Sequence, residues 1–424
     1  MLQGRLLIQY ILQCQVLSKT FGGRPMNTSS RFRWLSMVMI LLLMTLYQQQ
    51  PALAFSPADS FSPIPIAAMK LVQFCADPKV GLDAQAVATL VDYVLEPKSN
   101  KEVDLPKLRQ SPGAYYEFDT KTTFVRFLEY AYNPQIPVAL TRPSSIRYSL
   151  WTSPHGKSNK TPVIWRLASP AGNPVIIRGL EHESNTPDLT TGVYYEYDLK
   201  RTLIHLNYKG RQVLISISKQ VDQSEVGKKG IILGNDDDWN YYYSGEPGSF
   251  KAGIGWVKSY IYDFFSVGVY VESGASPTTV RTGTFQWIRA GWSGINFVKT
   301  SHIINGMKRF AGNFKAILES PTLPTPNQMI STYQRLSALP NRDLIEKYAA
   351  LQEAQQSLAF QTGKIRTAEI KKQGSYAQVS RKQMVEELML EYLKMALGKP
   401  SLLGKKSFWA LINQIFLHDS VFFS

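Results

Sequence analysis

Cysteine is nearly absent from this sequence: 424 residues contain two, Cys14 and Cys75. Cys14 lies in a segment that reads as removed on export (below), and the single thiol left cannot close an intramolecular disulfide. Stability must therefore come from packing, and Cys75 is expected to be a buried, unreactive side chain. Histidine is also scarce. His155, His182, His205, His302 and His418 are the full set, and no two stand at metal-ligand spacing. The chain has no HExxH, no CxxC, no GxSxG, and no glycine-rich phosphate loop followed by Lys-Ser or Lys-Thr. These absences argue against the commonest zinc and serine hydrolases, and no metal or cofactor is expected. Enzymes whose residues converge only in space are left open.

Acidic residues are missing from one stretch altogether. Residues 1–54 hold five Lys or Arg and no Asp or Glu. Within them, Trp34–Tyr47 is an uncharged, apolar run, preceded by Arg31 and Arg33 and followed by Ala52-Leu53-Ala54. A basic region, an apolar run of this length and a small-x-small site together predict a secretory signal peptide cut after Ala54. The run is shorter than the roughly 20 apolar residues of a spanning helix. The two arginines are not adjacent, which argues against a twin-arginine signal. Translation is expected to start at Met26, leaving 1–25 as an upstream extension. The export reading places the protein in the cell envelope or periplasm. The whole chain carries 47 basic and 32 acidic residues; beyond residue 54, 42 and 32 remain, a net charge of +10. Such a balance suits anionic partners. Nucleic acid fits poorly with export, so lipid, saccharide or an envelope protein is the expected partner, with no transmembrane span in the mature chain.

What the rest contains is a change of character along the chain. Residues 55–112 read as a Pro/Ser-rich leader and short helices, Ala67 to Asp77 and Asp83 to Leu95. In the second, Asp83 caps the first turn, and Val87, Leu90, Val91 and Val94 share a face. From 113 to 320 aromatic and β-branched residues dominate short runs separated by turn residues, ending in a helix from His302 to Leu318. Expected strands include TFVRFLEY, PVALT, VIWRL, TLIHLNY, VLISISK, WNYYY and TFQWIRAGW. In TLIHLNY, Leu203, His205 and Asn207 face one way and Ile204, Leu206 and Tyr208 the other. Pro321, Pro324 and Pro326 break the chain. Residues 321–424 then read as an antiparallel helical pair with a tail, docked on the β domain or used for dimerisation. The fold class is α+β: a duplicated antiparallel β-rich domain (sandwich or open barrel) with short N-terminal helices and a helical C-terminal region.

The duplication is a sequence repeat. GAYYEFDTKTTFVRF at 113–127 matches GVYYEYDLKRTLIHL at 192–206 at an offset of 79 residues. Each copy is expected to form a strand, a turn through D-x-K-x-T, and a returning strand. Tyr115, Tyr116, Tyr194 and Tyr195 would then form either two equivalent ligand surfaces or two packed hairpins.

Three further clusters bear on chemistry. Trp239, Tyr241 and Tyr243 alternate along an expected strand. An exposed face of this kind stacks on sugar rings or receives lipid chains, which makes these three the candidate ligand-binding residues. Asp236, Asp237 and Asp238 precede them, either as a solvated turn or as carboxylates for a cation or for glycoside hydrolysis. Glu181, His182 and Glu183 read as a loop trio. The function expected is that of an exported, non-catalytic ligand- or partner-binding protein. The alternative is an envelope carbohydrate-active hydrolase or transferase using Glu181 and the Asp residues. The tail after Gly404 (KKSFWALINQIFLHDSVFFS) reads as a cap on the helical region.

Overall fold

The computed structural model describes residues 62–152, 173–251, 255–274, 278–365 and 379–404. The signal peptide, its cleavage site, the start at Met26, the VIWRL segment, His155, His418 and the C-terminal tail lie outside the described residues. The fold is α+β. Among the described residues, seven α-helices accompany a nine-stranded antiparallel sheet ordered β1-β2-β13-β12-β7-β6-β4-β3, with β14 (Ile295–Asn296) beside β13. The long central strands are β2 (Ser111–Thr120), β13 (Thr279–Trp292), β12 (Tyr260–Ser273), β7 (Arg211–Gln220) and β6 (Glu196–Tyr208), flanked by β1 (Glu102–Leu108), β4 (Val175–Asn185) and β3 (Ile146–Thr152). A three-stranded sheet, β5 (Val193–Tyr194), β8 (Lys228–Ile232) and β9 (Tyr241–Pro247), and a small hairpin, β10 (Ser249–Lys251) with β11 (Gly255–Val257), complete the β structure. No helix among the described residues is long and apolar enough to cross a membrane.

One face of the sheet is covered by the N-terminal helices α1 (Pro63–Ala76) and α2 (Ala84–Leu95). Pro63 starts α1 where its missing N–H costs nothing. Asp83 caps α2 by accepting from the Ala86 amide at 2.8 Å. Beneath them lie Ile204, Val213, Ile215, Ile217, Phe265, Val267, Val269, Phe285 and Trp287, all fully buried. Each such side chain contributes roughly 1.5–3 kcal/mol relative to exposure. Cys75 joins this core, its thiol directed at the Lys200 and Ile217 carbonyls, and burial pushes the thiol pKa up. Gly113 is required by close approach, because a Cβ there would meet the Trp287 indole at 2.2 Å. Gly210, with φ +77°, turns β6 into β7.

The opposite face packs on α3 (Phe124–Ala131), α4 (Thr300–Leu318), α5 (Pro326–Ala338), α6 (Asn341–Gln361) and α7 (Arg381–Ala396). The C-terminal helices share one core with Phe118, Leu203, Leu214 and Tyr270 of the sheet, so their apolar residues are used in docking on the β domain. Polar groups are buried in this contact as pairs: Arg147 with Glu387 at 2.9 Å, and Lys394 with Glu391 at 2.6 Å.

Several expectations are corrected. TFVRFLEY is not a strand. Phe124, Phe127, Leu128 and Ala131 fall on one helical face, and Thr123 caps α3 by accepting from the Arg126 amide. PVALT forms a 3₁₀ turn at Val138–Leu140. The C-terminal region has three described helices rather than two, because Pro326 opens α5 behind a Thr325–Gln328 capping box instead of ending a linker. The repeat in sequence is not a repeat of hairpins. In the first copy the strand ends at Thr120 and a helix follows; in the second, Glu196–Tyr208 is one unbroken strand through the expected turn. The two copies share only local features. Tyr115 and Tyr194 are buried, and Glu117 and Glu196 pair with Lys98 and Lys228 at 3.1 and 3.3 Å. In TLIHLNY the alternation holds, with Leu203 and Ile204 in the cores on opposite faces.

Candidate functional site

Register decides what the second face of the central strands carries. Along β12, Phe265, Val267 and Val269 go under α1 and α2, so Phe264, Ser266, Gly268 and Tyr270 point the other way. Ser266 lies opposite Ser218 on β7 and Gln286 on β13, and Ser218 lies opposite Arg201 on β6. One step along, Gly268 lies opposite Ser216 and Thr284. These small and polar side chains form the floor of a cleft of about 290 Å³. α4 supplies a wall through Met307, Arg309 and Phe310, and residues 142–146 supply another.

Three arginines reach this cleft, and their partners differ. Arg201 is nine-tenths buried. Its guanidinium donates to Glu181 at 2.6 Å, to Glu183 at 2.8 Å and to the Ser218 hydroxyl at 2.6 Å. Arg309 donates to Asp236 at 2.7 Å and to the Tyr241 hydroxyl at 3.1 Å. Arg142 has no carboxylate within ion-pair distance among the described residues. Its hydrogen bond is a long one, 3.5 Å, to the Tyr132 hydroxyl, and its Nε is buried without an acceptor. Two residues on, the fully buried Ser144 hydroxyl also has no partner.

The two carboxylates that share Arg201 are driven apart. Burial favours the neutral form of Glu181. The Arg201 charge and hydrogen bonds from Ser149 and Arg201 outweigh it, and its pKa is lowered. Glu183 is pushed up to about 7, by burial first and then by the charge of Glu181, with Arg201, Arg142 and a Tyr197 hydrogen bond offsetting only part. The Glu181-His182-Glu183 trio is thus a strand, not a loop. Its two acids point into the buried face and His182 to the other, where Nδ1 meets Asp198 at 2.8 Å.

The sequence-derived ligand residues are elsewhere. Trp239, Tyr241 and Tyr243 are 2, 3 and 8 % exposed and form no open aromatic face. Trp239 ends the 3₁₀ turn in a left-handed conformation and donates from Nε1 to Asn313 on α4 at 2.6 Å. Tyr241 bonds Asp236 and Arg309, and Tyr243 lies under the Arg147 guanidinium, 3.7 Å from the ring centroid. Docking of the C-terminal helices, α4, α6 and α7, covers all three. Of the Asp trio, Asp236 is held by Arg309, while Asp237 lies exposed on the turn. No group of three or more potential metal ligands comes together among the described residues.

Arg142, Arg201, Arg309 and the serine floor escape a motif-based reading. One signal for the floor is present: in VLISISK, Ser216 and Ser218 alternate with Ile215 and Ile217, so one face is apolar and the other small and polar. No protein-family model matches the chain, and no curated protein matches it.

Proposed function

We propose that this is an exported protein of the cell envelope, periplasmic in a cell with two membranes, that holds a small ligand in the cleft between the sheet and α4 without converting it. The observation that carries this reading is the cleft itself. Central strands buried on their other face present serine, threonine and glycine here, where close packing would call for larger side chains. Its volume, about 290 Å³, is at the lower end of small-molecule sites. Lipid and saccharide are the ligand classes that fit an envelope location. Native mass spectrometry of the chain purified from the envelope, followed by organic extraction, tests the proposal. A stoichiometric small molecule is the expected result. A bare chain that also binds nothing from an envelope extract would overturn it.

A second reading, an envelope hydrolase or transferase acting through carboxylates, is favoured by one observation: two acids on one strand whose pKa values are pushed in opposite directions, as general acid and base require. Against it, both acids are bonded to one arginine. Release of reducing ends from envelope polysaccharide by the wild type and not by Glu183→Gln would establish this reading over the first.

A further inference from the structure

We propose that the cleft recognises an amphipathic small molecule by a single oxyanion head, carboxylate or phosphate, which Arg142 and Ser144 receive. The inference rests on the binding role proposed for the cleft and names the chemistry of its ligand.

A guanidinium taken out of water needs compensating charge or acceptors. Around this cleft that demand is met twice. Glu181 and Glu183 satisfy Arg201, and Asp236 satisfies Arg309. Arg142 has the Tyr132 hydroxyl at 3.5 Å and two aromatic ring faces, its Cζ lying 5.8 Å from the Phe310 ring centroid and 6.0 Å from that of Tyr132, and it feels the charge of Glu183 only from beyond ion-pair distance. The nearby Ser144 hydroxyl is a second unsatisfied donor, and both residues line the cleft. Two donors on one short turn, with no acceptor between them, are what an oxyanion completes, and arginine presents its N–H groups in a planar fork suited to one. The rest of the ligand is defined by the other walls. Phe264, Tyr270, Ile288, Met307 and Phe310 line the same space and offer apolar surface to a chain or ring. A molecule charged at both ends fits this division poorly, and so does a fully polar one.

Isothermal titration calorimetry of the chain with octanoate, octyl phosphate and octanol tests the proposal. Octanoate or octyl phosphate should bind at least tenfold more tightly than octanol, and the better of the two identifies the head. Arg142→Gln should bring that acid down to the affinity of octanol and leave octanol unchanged. Should Arg142→Gln fail to fold, the comparison of heads on the wild type still decides, and Arg142→Lys should retain part of the preference. If octanol binds as tightly as both acids, the oxyanion proposal is overturned while the cleft remains a binding site. If none of the three binds, and an envelope extract yields no ligand either, the binding role falls with it.

Discussion

The two faces of the central strands obey different rules. Under α1 and α2 the strands present Val213, Ile215, Ile217, Phe265, Val267 and Phe285, each without measurable exposure. That face is held by area and shape. Around the cleft, the open part of the other face, the same strands present Ser216, Ser218, Ser266, Thr284 and Arg201, and charges there neutralise one another, while Phe118, Leu203, Leu214 and Tyr270 of that face pack on the C-terminal helices. The contrast shows how one sheet supports both a core and a cleft. The first face fixes the backbone, which allows the second to leave space unfilled.

The largest effect is expected where charge balance is broken. Arg201→Met leaves Glu181 and Glu183 buried with no shared cation. A loss of about 3–5 kcal/mol is expected in urea denaturation at neutral pH. Adding Glu181→Gln and Glu183→Gln to that variant should recover most of it. If the triple variant is no more stable than Arg201→Met, the open face is held by packing after all.

On the covered face, Ile217→Ala should cost about 3 kcal/mol through lost transfer energy and an unfilled cavity. The loss should be the same at pH 5 and pH 8, since nothing ionisable is removed.

The open face should instead show a pH signature. Glu183 is raised to about 7 in the folded chain from an ordinary value of 4.5. The folded state therefore holds this proton more tightly than the unfolded state. Its contribution is present in full below about pH 4.5 and is lost as pH rises through about 7, a change of up to about 3 kcal/mol. Glu183→Gln should flatten that fall between pH 5 and 8. An unchanged slope would mean that another group titrates in this range.

How far the sequence reveals these faces depends on what each requires. Alternation along a strand is local, and it correctly separates Leu203 from Ile204 and the serines of β7 from its isoleucines. A cap is local too, so α2 could be read from Asp83. The aromatic run at 124–131 misleads because β propensity reflects packing on a pleated surface, whereas Thr123 and the 124, 127, 128, 131 spacing supply a helix. Burial of Trp239, Tyr241 and Tyr243 follows from α4, α6 and α7, the nearest of which begins at Thr300, 57 residues beyond Tyr243. The arginine network is hidden for the same reason. Alternation shows which face Arg201 takes, but only the β4–β6 register, Gly179 opposite Arg201, places it beside Glu181 and Glu183. In the Asp trio, the signal lay in Arg309, outside the motif.

The smallest effect is the sharpest test of the contrast. Ser266 and Val267 are adjacent in sequence and face opposite sides of one strand. Ser266→Ala removes a hydroxyl from the floor of a cleft, and no protein group among the described residues is hydrogen-bonded to it. Stability should stay within about 0.5 kcal/mol of wild type. Ser266→Leu should be nearly as well tolerated, because it fills empty space, yet it should abolish binding of whatever the cleft holds. A leucine there that destabilised the fold by several kcal/mol would show that the floor is packed as tightly as the face behind it, and the division between core and cleft would then be lost.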